Sequence, residues 1–403
     1  MSRIAIVVNA LKHAVSERRL CNPRFGFVKR IAVPAAPMIV MVLVVCSGAA
    51  AVTASAPMLG GTLRSVGSTV PKNGDVNPYG MALVPQSTGR LVGGDVLVSN
   101  FNDAKNLQGT GTTIVELSPS GTKTLFATID AGNLRATCPG GVGLTTALSV
   151  LNPGWVVVGS LPSATGKGAD AKAGCLLVLD SRGKVVETWS GHGINGPWDM
   201  TATERGDSAS LFVTNVLNGT VAARGKIAHG GTVVRLDLTL RPGKSPLLRK
   251  STVVGSGLPE KTDPDALVVG PTGVGVGSAG QLYVADTADN EINVIAHATT
   301  RGNSAGEGTT LTSGGALNSP LGLLVTTDGA VLTVNAADGT MVATDPAGKQ
   351  VATVNLDTSG KPRGSGALFG LVLAPNGQLF FVDDATNTLR SFTSSTLRTL
   401  TSK

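Results

Sequence analysis

From residue 77 onward the chain repeats one local pattern. A turn built on Gly or Pro leads into an apolar run, a second tight turn follows, and then comes a short segment of alternating large and small apolar residues. The second segments are residues 95–100, Trp155–Ser160, residues 211–215, Leu282–Asp286, Val331–Asn335 and Leu379–Asp383. Their period of two and their β-branched content predict strands rather than helices. Ala279-Gly280, Asp328-Gly329 and Asn376-Gly377 precede three of them, as hairpin turns needing a positive φ would. Third strands are predicted at Thr113–Leu117 and residues 174–179 and 231–236. Fourth strands are clearest at residues 122–126 and 184–188.

Aligned on the first turn, six copies appear, with anchors at Gly80, Gly143, Asp199, Gly273, Gly322 and Gly370. The anchors are 63, 56, 74, 49 and 48 residues apart. The last two spacings match one four-stranded unit, and the first three match a unit carrying insertions. A lone four-stranded sheet of this kind has two exposed faces and two edges, and radial stacking into a closed circle buries them. The expectation is an all-β, six-bladed β-propeller spanning residues 71–403. Residues 55–70 form a linker or closing strand, and either residues 61–70 or residues 391–400 complete a blade. Small residues of the first strands should crowd the axis, with larger ones on the second strands.

The best copy runs from Gly270 to Ile295: Pro271-Thr-Gly273, Gly280, Leu282-Tyr-Val-Ala-Asp286, Asn290 and Ile292-Asn-Val294. This pattern resembles the NHL repeat. The resemblance covers residues 70–400, with copies one to three degenerate, and it implies the fold while leaving function open.

Composition fits such a fold, with 53 glycines among 403 residues and only 15% charged. Nearly all of the net charge of +7 belongs to the first 54 residues, which hold seven basic residues and Glu17; the rest carries 26 basic against 25 acidic residues. With no basic stripe, a nucleic-acid partner is not expected. Residues 1–54 read as a signal peptide: a basic region ending at Lys29-Arg30, an apolar stretch from Met38 to Cys46, then small residues with cleavage after Ala54. The expected location is secreted or periplasmic, with an uncleaved membrane anchor as second choice. The mature chain would not be membrane-embedded. Cys138 and Cys175 are the two cysteines beyond this leader, and an even pair in an exported protein predicts a disulfide.

Candidate chemistry concentrates on the face where second strands end. Asn100, Asn215, Asp286, Asn335 and Asp383 ring it. Such groups bind a cation or sugar hydroxyls, or else cap the following turn. Trp198 and Asp199 replace the usual x-Gly of the repeat, with Trp189 and His192 just upstream. A Trp beside an Asp suits a sugar or another flat ligand, and equally suits the core of an irregular blade. After the second strands, copies one to three carry long excursions (residues 100–112, 160–174 and 215–232), where function usually concentrates. Beyond the leader there are three histidines, His192, His229 and His297, and neither a His-Glu-x-x-His nor a Gly-x-Ser-x-Gly motif. Propeller enzymes similar in fold include amidating lyases, streptogramin lyases and sugar lactonases. A lactonase-like ring implies a central divalent cation such as Ca²⁺, here on Asn215, Asp286 and Asp383. The favoured expectation is a monomeric, non-enzymatic binding or scaffold module. It takes no cofactor and engages an extracytoplasmic protein, peptide or glycan through the long loops of blades 1–3. A metal-assisted lyase or lactonase-like enzyme is the alternative.

Overall fold

The computed structural model describes residues 56–134 and 136–397; the expected signal segment and its cleavage point lie outside them. Six antiparallel sheets follow one another around a ring. Blade 1 is built from Val76–Leu83, Val96–Asn102, Thr113–Leu117 and Lys123–Thr128, and blade 2 from Leu144–Leu151, Trp155–Ser160, Cys175–Leu179 and Val185–Trp189. Blade 3 comprises Gly196–Arg205, Ser208–Val216, Ala228–Arg241 and the long strand Lys244–Asp263, extended by Leu267–Val269. Blades 4 and 5 open with the inner strands Pro271–Val276 and Pro320–Val325. Blade 6 contains Leu368–Leu373, Leu379–Asp383 and Thr388–Thr393, and its outer strand is Thr62–Ser68 from the other end of the chain. Of the two candidate closing segments, the N-terminal one therefore completes the blade. Residues 57–59 also pair with Thr353 on the rim of blade 5. Among the described residues helix is confined to short turns such as Thr220–Ala223 and Gly168–Asp170.

The anchor glycines make the ring possible. In blades 1, 4, 5 and 6 the inner strand bulges there, so that Pro271 pairs with Asp286 but Val274 with Val284. The bulge presses the backbone against the next blade. A Cβ on Gly273, Gly322 or Gly370 would come under 3.0 Å from the Leu321, Phe369 or Tyr79 carbonyl oxygen, respectively. The last of these contacts carries blade 6 back onto blade 1. Blade 2 departs from the reading of the sequence. Leu144 pairs with Ser160 and Leu148 with Val158, one residue more in the bulge than elsewhere. Gly143 thus lies ahead of the strand, and Thr145 and Thr146 face the Gly80 anchor.

The expectation of small residues at the axis holds at the anchor layer and fails one residue earlier. There Tyr79, Trp198, Leu321 and Phe369 fill the axis, all buried in one apolar cluster with Phe101 and with Ala266–Val269. The Tyr79 ring stacks on Phe369 at 3.8 Å and on Phe101 at 4.5 Å between centroids. The reason is the strand Lys244–Asp263, which overruns its blade and turns back through Leu267–Val269. Its hairpin lays apolar residues across the axis, and large side chains from several blades meet them.

Candidate functional site

The polar ring at the second-strand ends acts first on its own blades. Asn215 Oδ1 accepts the Asn195 and Gly196 amides at 2.6 and 2.9 Å, and its Nδ2 donates to Gly193 O at 3.0 Å. Asn335 Nδ2 donates to Ala316 O at 2.8 Å, and Asn100 Nδ2 to Thr69 O at 3.2 Å. In blade 2 the same place is held by Ser160, whose hydroxyl accepts from Gly143 N and donates to Gly141 O. Each side chain thus fastens the segment by which the chain enters its blade. Asp286 Oδ1 accepts the Ala288 and Asp289 amides, while Oδ2 is buried without a partner. Burial, with Asp289 and Glu291 nearby, raises its carboxyl to about 7. Asp383 accepts Thr386 N and pairs with Arg390 at 2.7 Å, and Arg390 also reaches Asp357 at 3.6 Å. Among the described residues no three His, Cys, Asp or Glu side chains gather closely enough to hold a metal ion.

Trp198 is buried in the axial cluster and donates from Nε1 to Val268 O at 2.9 Å, tying the hairpin to blade 3. The long excursions converge on the same hairpin. Gln108 Nε2 donates to Pro264 O at 2.6 Å, Ser163 N donates to Gly109 O at 3.1 Å, and the turn Gly168–Asp170 lies against Thr262 and Leu267. The Cys138–Cys175 disulfide is present, with Cα atoms 5.3 Å apart. It holds the base of the blade 2 excursion.

Blades 4–6, with tight turns, leave a cleft beside the hairpin of about 110 Å³. Lys261, Asp263 and Asp265 stand on one side, Thr287 and Ser319 on the other, and Phe369 contributes to the floor. Behind that floor lies the Tyr79 phenol, 3.4 Å from Asp265 O. Burial, then the Asp384 carboxylate, with lesser effects from Asp263 and Asp265, holds this phenol well above its ordinary pKa. Asp384 itself rises to about 7 through burial and its neighbour Asp383. Sequence reading passed over this cleft, because the hairpin that walls it belongs to no repeat. The Asp263-Pro-Asp265 turn was the one available signal.

On the opposite face the axis is open. The second halves of the six inner strands enclose a channel of about 510 Å³, blind at the aromatic layer. Asp199 lines it, and its carboxylate accepts Met200 N at 2.8 Å and Val274 N at 3.3 Å. Burial raises this carboxyl to about 8.

This architecture has counterparts among solved structures. The gluconolactonase XC5397 of Xanthomonas campestris overlays with a TM-score of 0.51 at 13% identity, covering 84% of this chain and 95% of that one. Regucalcin, a calcium-binding protein of Agrobacterium tumefaciens, gives 0.48 at 12%, covering 84% and 95%. Virginiamycin B lyase of Staphylococcus aureus gives 0.46 at 14%, covering 83% and 86%. No family model matches the chain, and no curated protein sequence matches it. The protein is a six-bladed β-propeller; the NHL-type character read from the sequence is a finer statement than this likeness reaches.

Proposed function

We propose that this protein is a propeller enzyme of the lactonase or lyase kind, acting on a small hydroxyl-rich substrate in the cleft between the axial hairpin and blades 4–6. The enzyme class is that of the alternative in the sequence reading, without the central cation on Asn215, Asp286 and Asp383 which that alternative used, and the gluconolactonase among its structural counterparts sits with it better than with a scaffold role. One observation carries it. The cleft brings two carboxylates, Asp263 and Asp265, and the Lys261 ammonium together with the Thr287 and Ser319 hydroxyls around Phe369. A carboxylate pair supplies a general base and acid, an ammonium stabilises a developing oxyanion, and an aromatic with hydroxyls around it suits a sugar ring. At about 110 Å³ the cleft takes one small ring, the rest of the substrate remaining in solvent.

In this scheme Asn215, Asp286 and Asp383 hold loops rather than a cation, and no cofactor is required. The disulfide suits an oxidising compartment, and no helix among the described residues is long and apolar enough to cross a membrane. The disulfide agrees with a secreted or periplasmic protein.

The test is turnover of sugar lactones, followed by proton release. Asp263→Asn and Asp265→Asn are each expected to lower kcat/KM by about 100-fold or more, with melting temperature unchanged. Metal analysis and dialysis against a chelator run alongside. Stoichiometric metal, with activity lost on its removal, would return the chemistry to the cation scheme. Absence of turnover would favour the second reading, an extracytoplasmic binding module. That reading has its own observation: Leu107, Val221 and Ile227, on the excursions of blades 1 and 3, are 36%, 40% and 49% exposed.

A further inference from the structure

The excursions of blades 1–3 carry a net positive charge that the rest of the ring does not. Of the 26 basic and 25 acidic residues beyond residue 54, residues 100–112, 160–174 and 215–232 hold five and two, which leaves 21 and 23 elsewhere. The five are Lys105, Lys167, Lys172, Arg224 and Lys226, and all are exposed. Among the described residues none of them enters an ion pair. The two acids serve their own loops. Asp103 Oδ1 accepts the Lys105 and Leu107 amides, and Asp170 Oδ2 accepts the Thr165 hydroxyl. Glu307 of blade 4 reaches His229 of this region, at 3.9 Å.

Apolar side chains stand among these cations. Leu107, Val221 and Ile227 are the large apolar residues exposed on the excursions. Lys105 is two residues from the first, and Lys226 is next to the last. The three loops adjoin one another. A Cβ on Gly166 would lie 3.5 Å from that of Leu107, and the turn Gly168–Asp170 packs beside the helical turn Thr220–Ala223.

This combination selects the partner. Protein interfaces are anchored by aromatic side chains seated in pockets. The excursions hold one Phe, Tyr or Trp, which is Phe101, and it is buried in the axial cluster. A lipid surface asks for aliphatic side chains that enter the boundary between headgroups and acyl chains, with Lys and Arg beside them to meet anionic headgroups. We infer that the excursions of blades 1–3 dock the molecule on an anionic phospholipid surface, with Leu107, Val221 and Ile227 entering that boundary and the five cations lying along the phosphates. Attachment of this kind is peripheral and reversible, and it weakens with salt. It does not depend on the reaction proposed for the cleft.

All six blades lie beyond residue 61, so the test uses the chain from residue 55 onward, which keeps the basic leader from binding lipid in its place. Sedimentation with vesicles of equimolar phosphatidylcholine and phosphatidylglycerol, against vesicles of phosphatidylcholine alone, reads the partition coefficient. The expected result is a preference of about tenfold or more for the anionic vesicles at low ionic strength, lost near about 1 M salt. Lys105→Gln and Lys226→Gln should each lower binding by about fivefold, and Ile227→Ser should lower it severalfold. Lys349→Gln, in the turn between Thr340–Thr344 and Gln350–Asn355 on the opposite face, should change nothing. All four positions are exposed, so melting temperature should stay unchanged. Absence of binding to the anionic vesicles, equal binding to both kinds, or a loss from Lys349→Gln as large as that from Lys226→Gln would overturn the inference. So would undiminished binding by Ile227→Ser, which would make the face a site for soluble polyanions, an acidic protein among them.

Discussion

Blades 1–3 and blades 4–6 are built on the same plan and spend their loops differently. In blades 4–6 the turn after the second strand is tight, running directly from Asp286 to Glu291 and from Asn335 to Thr340. In blades 1–3 the corresponding segments are long, and they pack on one another and on the Leu267–Val269 hairpin rather than reaching freely into solvent. The irregular half closes the axis, and the regular half leaves the cleft. A long loop on a rigid scaffold is often read as a binding element. Here much of its length is used to seal a channel.

That contrast can be broken at the anchor layer first. Gly322→Val in the regular half would drive a Cβ into the Phe369 carbonyl, and a loss of more than about 4 kcal/mol is expected, read as failure to fold or a collapsed denaturation midpoint. At the equivalent position of the irregular half, Asp199→Asn should do the opposite. The folded-state carboxyl lies near 8, above its ordinary value of 3.8. Its favourable contribution is therefore intact below that ordinary value and lost as pH rises through the folded one. The variant should gain melting temperature above about pH 8 and gain little near pH 4. Equal shifts at both pH values would mean that the carboxyl is not desolvated as described.

The seal is tested by Tyr79→Ala. Tyr79 is buried at 2% exposure and stacks on Phe369, Phe101 and, at a longer distance, Trp198, so a loss of about 3–5 kcal/mol is expected. Proteolysis of the residue 264–266 turn should begin well before global unfolding. A smaller effect belongs to the disulfide. Replacing Cys138 and Cys175 together by Ala opens a 37-residue span, and a cost of about 2–4 kcal/mol is expected. If the blade 2 excursion is held by the bond, hydrogen exchange should rise there and stay unchanged in blades 4–6.

The regular half was legible in the sequence nearly to the residue. The strands Leu282–Asp286, Val331–Asn335 and Leu379–Asp383 are those the alternation predicts. Tight turns force Gly and Asn into fixed places, such as Gly280 and Gly329 with φ near 78° and 89°, so local chemistry records the fold. The irregular half was harder because its order is tertiary. Nothing in Ala266-Leu267-Val268 says that it will lie on Trp198 and Tyr79, and the extra bulge residue of blade 2 displaces Gly143 without leaving a gap in the pattern. The candidate site suffered most. Asp286 and Asp383 were conspicuous as strand-end acids, while Lys261, Asp263 and Asp265 come together only because one strand overruns its blade.

The outer strand of blade 6 gives the ring a clasp. Thr62 pairs with Thr393, so this contact joins strands that lie far apart in the sequence, and its loop-closure cost is correspondingly large. Until it forms, Thr388–Thr393 presents an unpaired edge that any extended segment of another molecule can occupy. The clasp is therefore also the point at which two copies could exchange strands. Dilute refolding is expected to favour closed single rings, and size-exclusion chromatography across a concentration series checks it.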